Sequence, residues 1–222
     1  MSPDEVDPSY LDRLPRPGTI AAVAGVGLLA SYVVAVRDPV PAWELRWTET
    51  INDVPDAAAA VLYPIMQLGT LGGPAAVAVG IAVFQRDWWL SGATMLTGVI
   101  TWLGAKGVKA WVARGRPRAY LPDIDLREGD GDGLGYISGH SAVAATAAVM
   151  AMVALPARWR PAAAAAAVLV GLARIVHGVH LTAHVVGGGC LGVLIAHAAL
   201  FVTGRAKAAM RSRDAAPLAA GA

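Results

Sequence analysis

The sequence predicts an all-α fold, a polytopic membrane bundle of six transmembrane helices in one domain. Composition is the first reason. Of 222 residues, 56% are hydrophobic and 15% charged, with a mean hydropathy of +0.52; a soluble domain carries about a quarter charged residues. The second reason is that the charges cluster and leave long uncharged runs of membrane-spanning length. The third is that aromatic residues are few while alanine and glycine abound, which suits close helix packing in a bilayer.

The uncharged runs give the spans in order. The first covers 18–36, between Arg16 and Arg37. The second lies between Asp56 and Arg86, with its helix at 61–84 and its start shaped by Pro64 and Pro74. The third covers 88–106 and opens on Trp88 and Trp89, which suit an interface. A polar stretch follows over 107–136. The fourth span is 139–157, stopped by Pro156 and Arg158; the fifth is 160–177, with Pro161 in its first turn; the sixth is 184–204. The expected organisation is a cytoplasmic segment at 1–17, a transmembrane domain at 18–204 with a polar motif loop at 107–138, and a basic, fraying cytoplasmic tail at 205–222.

The acidic start, with Asp4, Glu5, Asp7 and Asp12, and the length of the first apolar run argue against a cleaved signal peptide. An even span count puts both termini on one side. That side carries Arg13, Arg16, Arg86, Arg158, Arg160, Arg205 and Lys207, so the positive-inside rule makes it cytoplasmic, in a plasma or inner membrane. Trp43 and Trp47 read as interfacial anchors in the first outer loop. A net charge of +2 is too mild to imply nucleic acid, and the single Cys190 allows no internal disulfide. No phosphate-cradling loop, dinucleotide fingerprint or paired zinc cysteines occur.

Three polar clusters fall on the outer side of the expected bundle. They are K-A-W-V-A-R-G-R-P from Lys109 to Pro117, Y-I-S-G-H-S from Tyr136 to Ser141, and R-I-V-H-G-V-H-L-T-A-H from Arg174 to His184. Each has a plain reading: headgroup anchoring for the cations, helix capping for Ser138, snorkelling for Arg174. Together they point to phosphate chemistry. Arginine and lysine bind phosphate oxygens, and amides opening the fourth span add donors and a favourable dipole end. Two histidines divide the work, one attacking phosphorus and one protonating the leaving oxygen. Fixed cations neutralise the developing charge, so no metal or other cofactor is called for.

These clusters resemble the three signature motifs of the type 2 phosphatidic acid phosphatase (PAP2) superfamily. Its first motif is K-x6-R-P, matched by Lys109, Arg116 and Pro117. Its second is P-S-G-H; Ile137 replaces the proline, and Ser138, Gly139 and His140 match. Its third is S-R-x5-H-x3-D; Ala173 replaces the serine, Arg174 and His180 match, and His184 replaces the aspartate. The resemblance covers the third to sixth spans. It implies a PAP2-like fold with an outward-facing site. His180 would be the nucleophile and His140 the general acid, with Lys109, Arg116, Arg174, Ser138 and Gly139 holding the phosphoryl group. The implied partner is a lipid phosphate such as phosphatidate, phosphatidylglycerophosphate or a polyprenyl diphosphate, met in the bilayer; some relatives are phosphotransferases.

The departure at 184 bears on catalysis. In the family the aspartate hydrogen-bonds the nucleophilic histidine and fixes its tautomer. A neutral His184, one turn on, can accept that bond without a negative charge; a protonated one cannot. Three outcomes stay open: an active but attenuated His–His pair, a substitute carboxylate from Asp123, Asp125, Asp130 or Asp132, or a protein that binds lipid phosphates without turnover. A zinc hydrolase built on His177, His180 and His184 is a further alternative, disfavoured by the nearby cations. His177 reads as a bystander, and His197 as a partner in an interhelical hydrogen bond. Gly188 and Gly192 form a G-x-x-x-G for close packing inside the bundle.

Overall fold

The computed structural model describes residues 9–215 as helices and connecting loops, without a β-strand among the described residues. The start of the expected N-terminal segment (1–8) and the last residues of the expected tail (216–222) lie outside them.

Helix α1 (Pro17–Ala35) starts on a proline suited to the first turn and turns Val23, Val26 and Leu29 outward. Helix α2 (Ala42–Asn52) lies in the first outer loop, where no helix was expected. Its Glu44, Thr48 and Asn52, at helical spacing, are buried, while Trp43 and Trp47 are exposed. Its polar face is the inner one, and the tryptophans are left for the interface.

The second expected span is not one straight helix from 61 to 84. It is α3 (Asp56–Met66), a 3-10 turn at Gln67–Gly69, then α4 (Gly72–Gly80) running into a π-helical stretch at Ile81–Gln85, with a bend of 66°. Pro74 lacks an amide hydrogen, and a Cβ on Gly73 would collide with the Leu68 carbonyl, so the chain folds here rather than running through.

Helix α5 (Trp88–Val112) is capped by Asp87, which accepts from the Leu90 amide at 3.1 Å. It runs past the expected end at 106, because nothing before Ala113 (φ 53°) breaks it. Lys109 therefore belongs to the last helical turn. Helix α6 (Gly139–Ala154) is capped by Ser138 and buried along most of its length. A helix apolar on all faces belongs in the centre of a bundle, and α6 packs on α4, α5, α7 and α8. Its alanines permit close approach, and Gly188 and Gly192 of α8 lie against the Ser138 and Ala142 carbonyls, so the G-x-x-x-G acts inside the bundle. Helix α7 spans Arg160–Val176, close to expectation. Helix α8 (Thr182–Ala215) continues well past the expected end at 204, since Ala, Arg and Lys favour helix.

Among the described residues, three helices are long and apolar enough to cross a membrane: Pro17–Ala35, Ala157–Val176 and Thr182–Arg213. The bent pair makes a fourth if it is one span, and Gly139–Ala154 is a shorter apolar helix. With the apolar faces left outward, this is a multi-pass membrane protein.

Candidate active site

Lys109 ends α5. Beyond it the left-handed Ala113 turns the chain so that Arg114 is buried and Arg116 follows in extended conformation. The second motif is strapped to the first: the Gly135 amide donates to the Arg114 carbonyl at 2.7 Å, and Gly115 bridges to Leu134. It is also tied to the third, because the Ser138 amide donates to the His184 carbonyl at 2.8 Å. Ser138 then caps α6 and puts His140 in its first turn, as the sequence suggests.

Arg174 lies in the last turn of α7. That helix closes on Gly178 (φ +72°), a left-handed position that favours glycine; a Cβ there would meet the Asp125 carbonyl at 2.5 Å. The turn delivers His180 inward, ahead of α8.

These elements enclose a cavity of about 630 Å³ lined by Lys109, Arg116, Gly139, His140, Arg174 and His180. Leu71, Trp102 and Ala105 form its apolar side, and Lys106, stacked over the Trp102 ring at 3.5 Å, also faces it. Of the eight residues named from the motifs, Ser138 and His184 do not line the cavity. Both are fully buried behind its wall.

His184 Nδ1 sits 3.3 Å from the Leu181 amide and 3.4 Å from His180 Nδ1. An amide can only donate, so His184 Nδ1 is an unprotonated acceptor. His180 then donates from its own Nδ1, which leaves His180 Nε2 with a free lone pair. The His184 proton lies on Nε2, a buried atom without a hydrogen-bond partner, and the His184 ring meets Tyr136 edge-on at 6.0 Å. Burial, then the Lys109 charge, His184, Arg174 and Arg116, holds His180 well below the usual histidine pKa, so its ring stays neutral.

Arg174 Nη1 pairs with Glu128 and meets Met66 Sδ at 3.1 Å. Glu128 is presented by a loop that Arg127 pins down through the carbonyls of Asn52 (3.0 Å), Val54 (2.8 Å) and Val176 (2.8 Å) and through Asp56 (2.9 Å). Glu44, which no motif indicated, pairs with Arg114 at 2.6 Å. Neither acidic group was legible from the sequence, since each meets its partner across 46 or more residues.

The other candidates are dispersed. His177 bonds the Ala173 carbonyl at 2.7 Å and faces the Tyr63 ring, so the three histidines do not converge as a zinc site would require. His184, rather than a loop aspartate, stands beside His180; Asp125 pairs with Arg127 instead, and Asp130 accepts the Asp132 amide. His197 bonds Val193 of its own helix at 2.8 Å, where an interhelical partner was expected.

Residues 86–207 match the family model described as the PAP2 superfamily. Two solved structures share the fold. One is the first transmembrane PAP2 type phosphatidylglycerolphosphate phosphatase from Bacillus subtilis, with a TM-score of 0.66 and 22% identity, covering 81% of this chain and 93% of that one. The other is Aquifex aeolicus LpxE, with a TM-score of 0.66 and 20% identity, covering 72% of this chain and 96% of that one. No curated protein sequence matches the chain.

Proposed function

Because the chain belongs to the PAP2 superfamily, we propose that it is an integral membrane phosphatase that hydrolyses a lipid phosphate or polyprenyl diphosphate through a phosphohistidine on His180. The observation that carries this reading is one cavity lined by four cations (Lys106, Lys109, Arg116 and Arg174) and two histidines, with a neutral His180 whose Nε2 is free.

Lys109, Arg116 and Arg174 hold the phosphoryl oxygens, with the Gly139 amide at the positive end of α6 and Ser138 shaping that helix start. The Nε2 lone pair of His180 attacks phosphorus. The bond to the ester or bridging oxygen breaks, its electron pair leaves with that oxygen, and His140 supplies the proton. His184 Nδ1 accepts from His180 Nδ1–H throughout, so the imidazolium character that develops is shared. Water, deprotonated by His140, then attacks the phosphohistidine and releases inorganic phosphate, restoring both histidines. The fixed cations supply the charge compensation, which makes the proposed reaction metal-independent. Persistence of activity in EDTA tests that point, and its loss would overturn it.

The apolar side of the cavity at Leu71, Trp102 and Ala105 supports a substrate whose phosphate is attached to a lipid chain. We take α1, the bent α3–α4 pair, α5, α6, α7 and α8 as the six spans. The charge distribution supports cytoplasmic termini and a site on the outer side. Phosphate release from a panel of lipid phosphates in detergent tests the whole reading. Release that disappears in His180→Ala supports it, and a native protein inert on every member contradicts it.

A further inference from the structure

Glu44 is a carboxylate without exposed surface, carried on α2, a helix outside all three motif segments. A buried carboxylate is costly unless it is paired and hydrogen-bonded, so its two partners matter. One oxygen accepts from the Ala183 amide at 2.9 Å, and the other pairs with Arg114 Nη2 at 2.6 Å.

Both partners belong to the site. Ala183 lies in the first turn of α8, three residues after His180 and next to His184. The residue ahead of that helix is Leu181, whose side chain has no acceptor to offer the free amides of the first turn. Glu44 therefore caps α8 from another helix and sets a negative charge at its positive end. Arg114 stands two residues before Arg116, and its carbonyl takes the amide of Gly135, the residue just ahead of the second motif. Arg114 Nε and Nη1 are buried without hydrogen-bond partners, so the charge balance of that side chain rests on Glu44. Farther along the same buried stripe, Asn52 donates to the Val176 and Asp125 carbonyls at 2.9 Å each and accepts from the Asp125 amide at 3.0 Å.

We infer that Glu44 is a positioning residue for the phosphoryl-transfer site: from α2 it fixes the turn bearing His180 and His184 against the segment bearing Arg116. The inference rests on the function proposed above. Glu44 touches neither substrate nor the reacting atoms; its effect passes through the Ala183 amide and Arg114.

The test uses the full chain in detergent, with phosphate release from a lipid phosphate and histidine 15N shifts as readouts. Glu44→Ala removes both the cap and the charge partner. It is expected to lower kcat at least about tenfold while KM stays within about threefold, and to blur the single His180–His184 tautomer pattern. The double variant Glu44→Gln with Arg114→Met keeps an acceptor for Ala183 and leaves no unpaired buried charge. It is expected to recover kcat to within about threefold of native and to restore the tautomer pattern. A folded Glu44→Ala protein with native kcat and native 15N shifts overturns the inference. So does a folded double variant that stays more than about tenfold slow, which decides the matter if Glu44→Ala does not fold. If the native protein turns over no lipid phosphate, the proposed function falls, while the 15N comparison still decides the role of Glu44.

Discussion

His180 and His184 face each other Nδ1 to Nδ1 at 3.4 Å, their rings 82° apart. With the Leu181 amide on the same His184 nitrogen, only one proton arrangement satisfies the geometry, and it leaves His180 Nε2 free. A histidine here can set the tautomer of its neighbour as a carboxylate would, but it brings no negative charge. His184→Ala is therefore expected to lower kcat by about 10- to 100-fold, the usual cost of losing an orienting partner. His184→Asp is expected to be at least as fast as native. An Asp variant slower than the Ala variant would contradict the assigned role.

The pH dependence follows from His180. An unfolded histidine titrates near 6.5, whereas folded His180 stays neutral well below that, through burial first and then Lys109. Between those two values the unfolded chain binds the extra proton. The stability tied to this group is complete above about pH 6.5 and is lost as pH falls below it, by about 1.4 kcal/mol per unit inside the window. Thermal unfolding midpoints are expected to fall between about pH 7 and pH 5, and less steeply in His180→Asn. Parallel slopes in the two proteins would rule this out.

Glu128 pairs with Arg174, so a phosphate clamped by that guanidinium competes with a carboxylate. The pair is partly exposed and its net value small, on the order of 1 kcal/mol or less. Glu128→Gln is expected to lower KM by roughly two- to fivefold with little change in kcat, read from steady-state phosphate release. A raised KM would instead mark Glu128 as a substrate contact.

Packing between α6 and α8 gives a stability prediction. A Cβ at Gly192 would strike the Ala142 carbonyl, and one at Gly188 the Ser138 carbonyl beside His140. Gly192→Ala and Gly188→Ala should each destabilise by about 1–3 kcal/mol. Of the two, only Gly188→Ala should also reduce kcat clearly. Melting in detergent and phosphate release check the pair together.

The local signals were legible in the sequence. Uncharged runs located α1, α6 and α7 within a few residues, and three polar clusters, through their resemblance to the PAP2 motifs, nominated Lys109, Arg116, His140, Arg174 and His180, which line one cavity. Interactions between distant segments were not legible. The fold-back after Met66 depends on packing as well as on Pro74, and α2 hides because its polar face is the buried one. Glu44 and Glu128 carry no local sequence signal, since the residues that pair with them lie 70 and 46 positions away.

The central claim is that His180 carries the phosphoryl group. The most direct measurement is a single turnover with a lipid phosphate labelled at phosphorus, stopped in alkali, which spares phosphohistidine, followed by fragment-ion mapping of the labelled residue. The account predicts label on His180 in the native protein; in His140→Ala, which lacks both the acid for the leaving oxygen and the base for water, label on His180 should form more slowly and persist longer. Label on His140 or His184, or phosphate release from His180→Ala at the native rate, would contradict it.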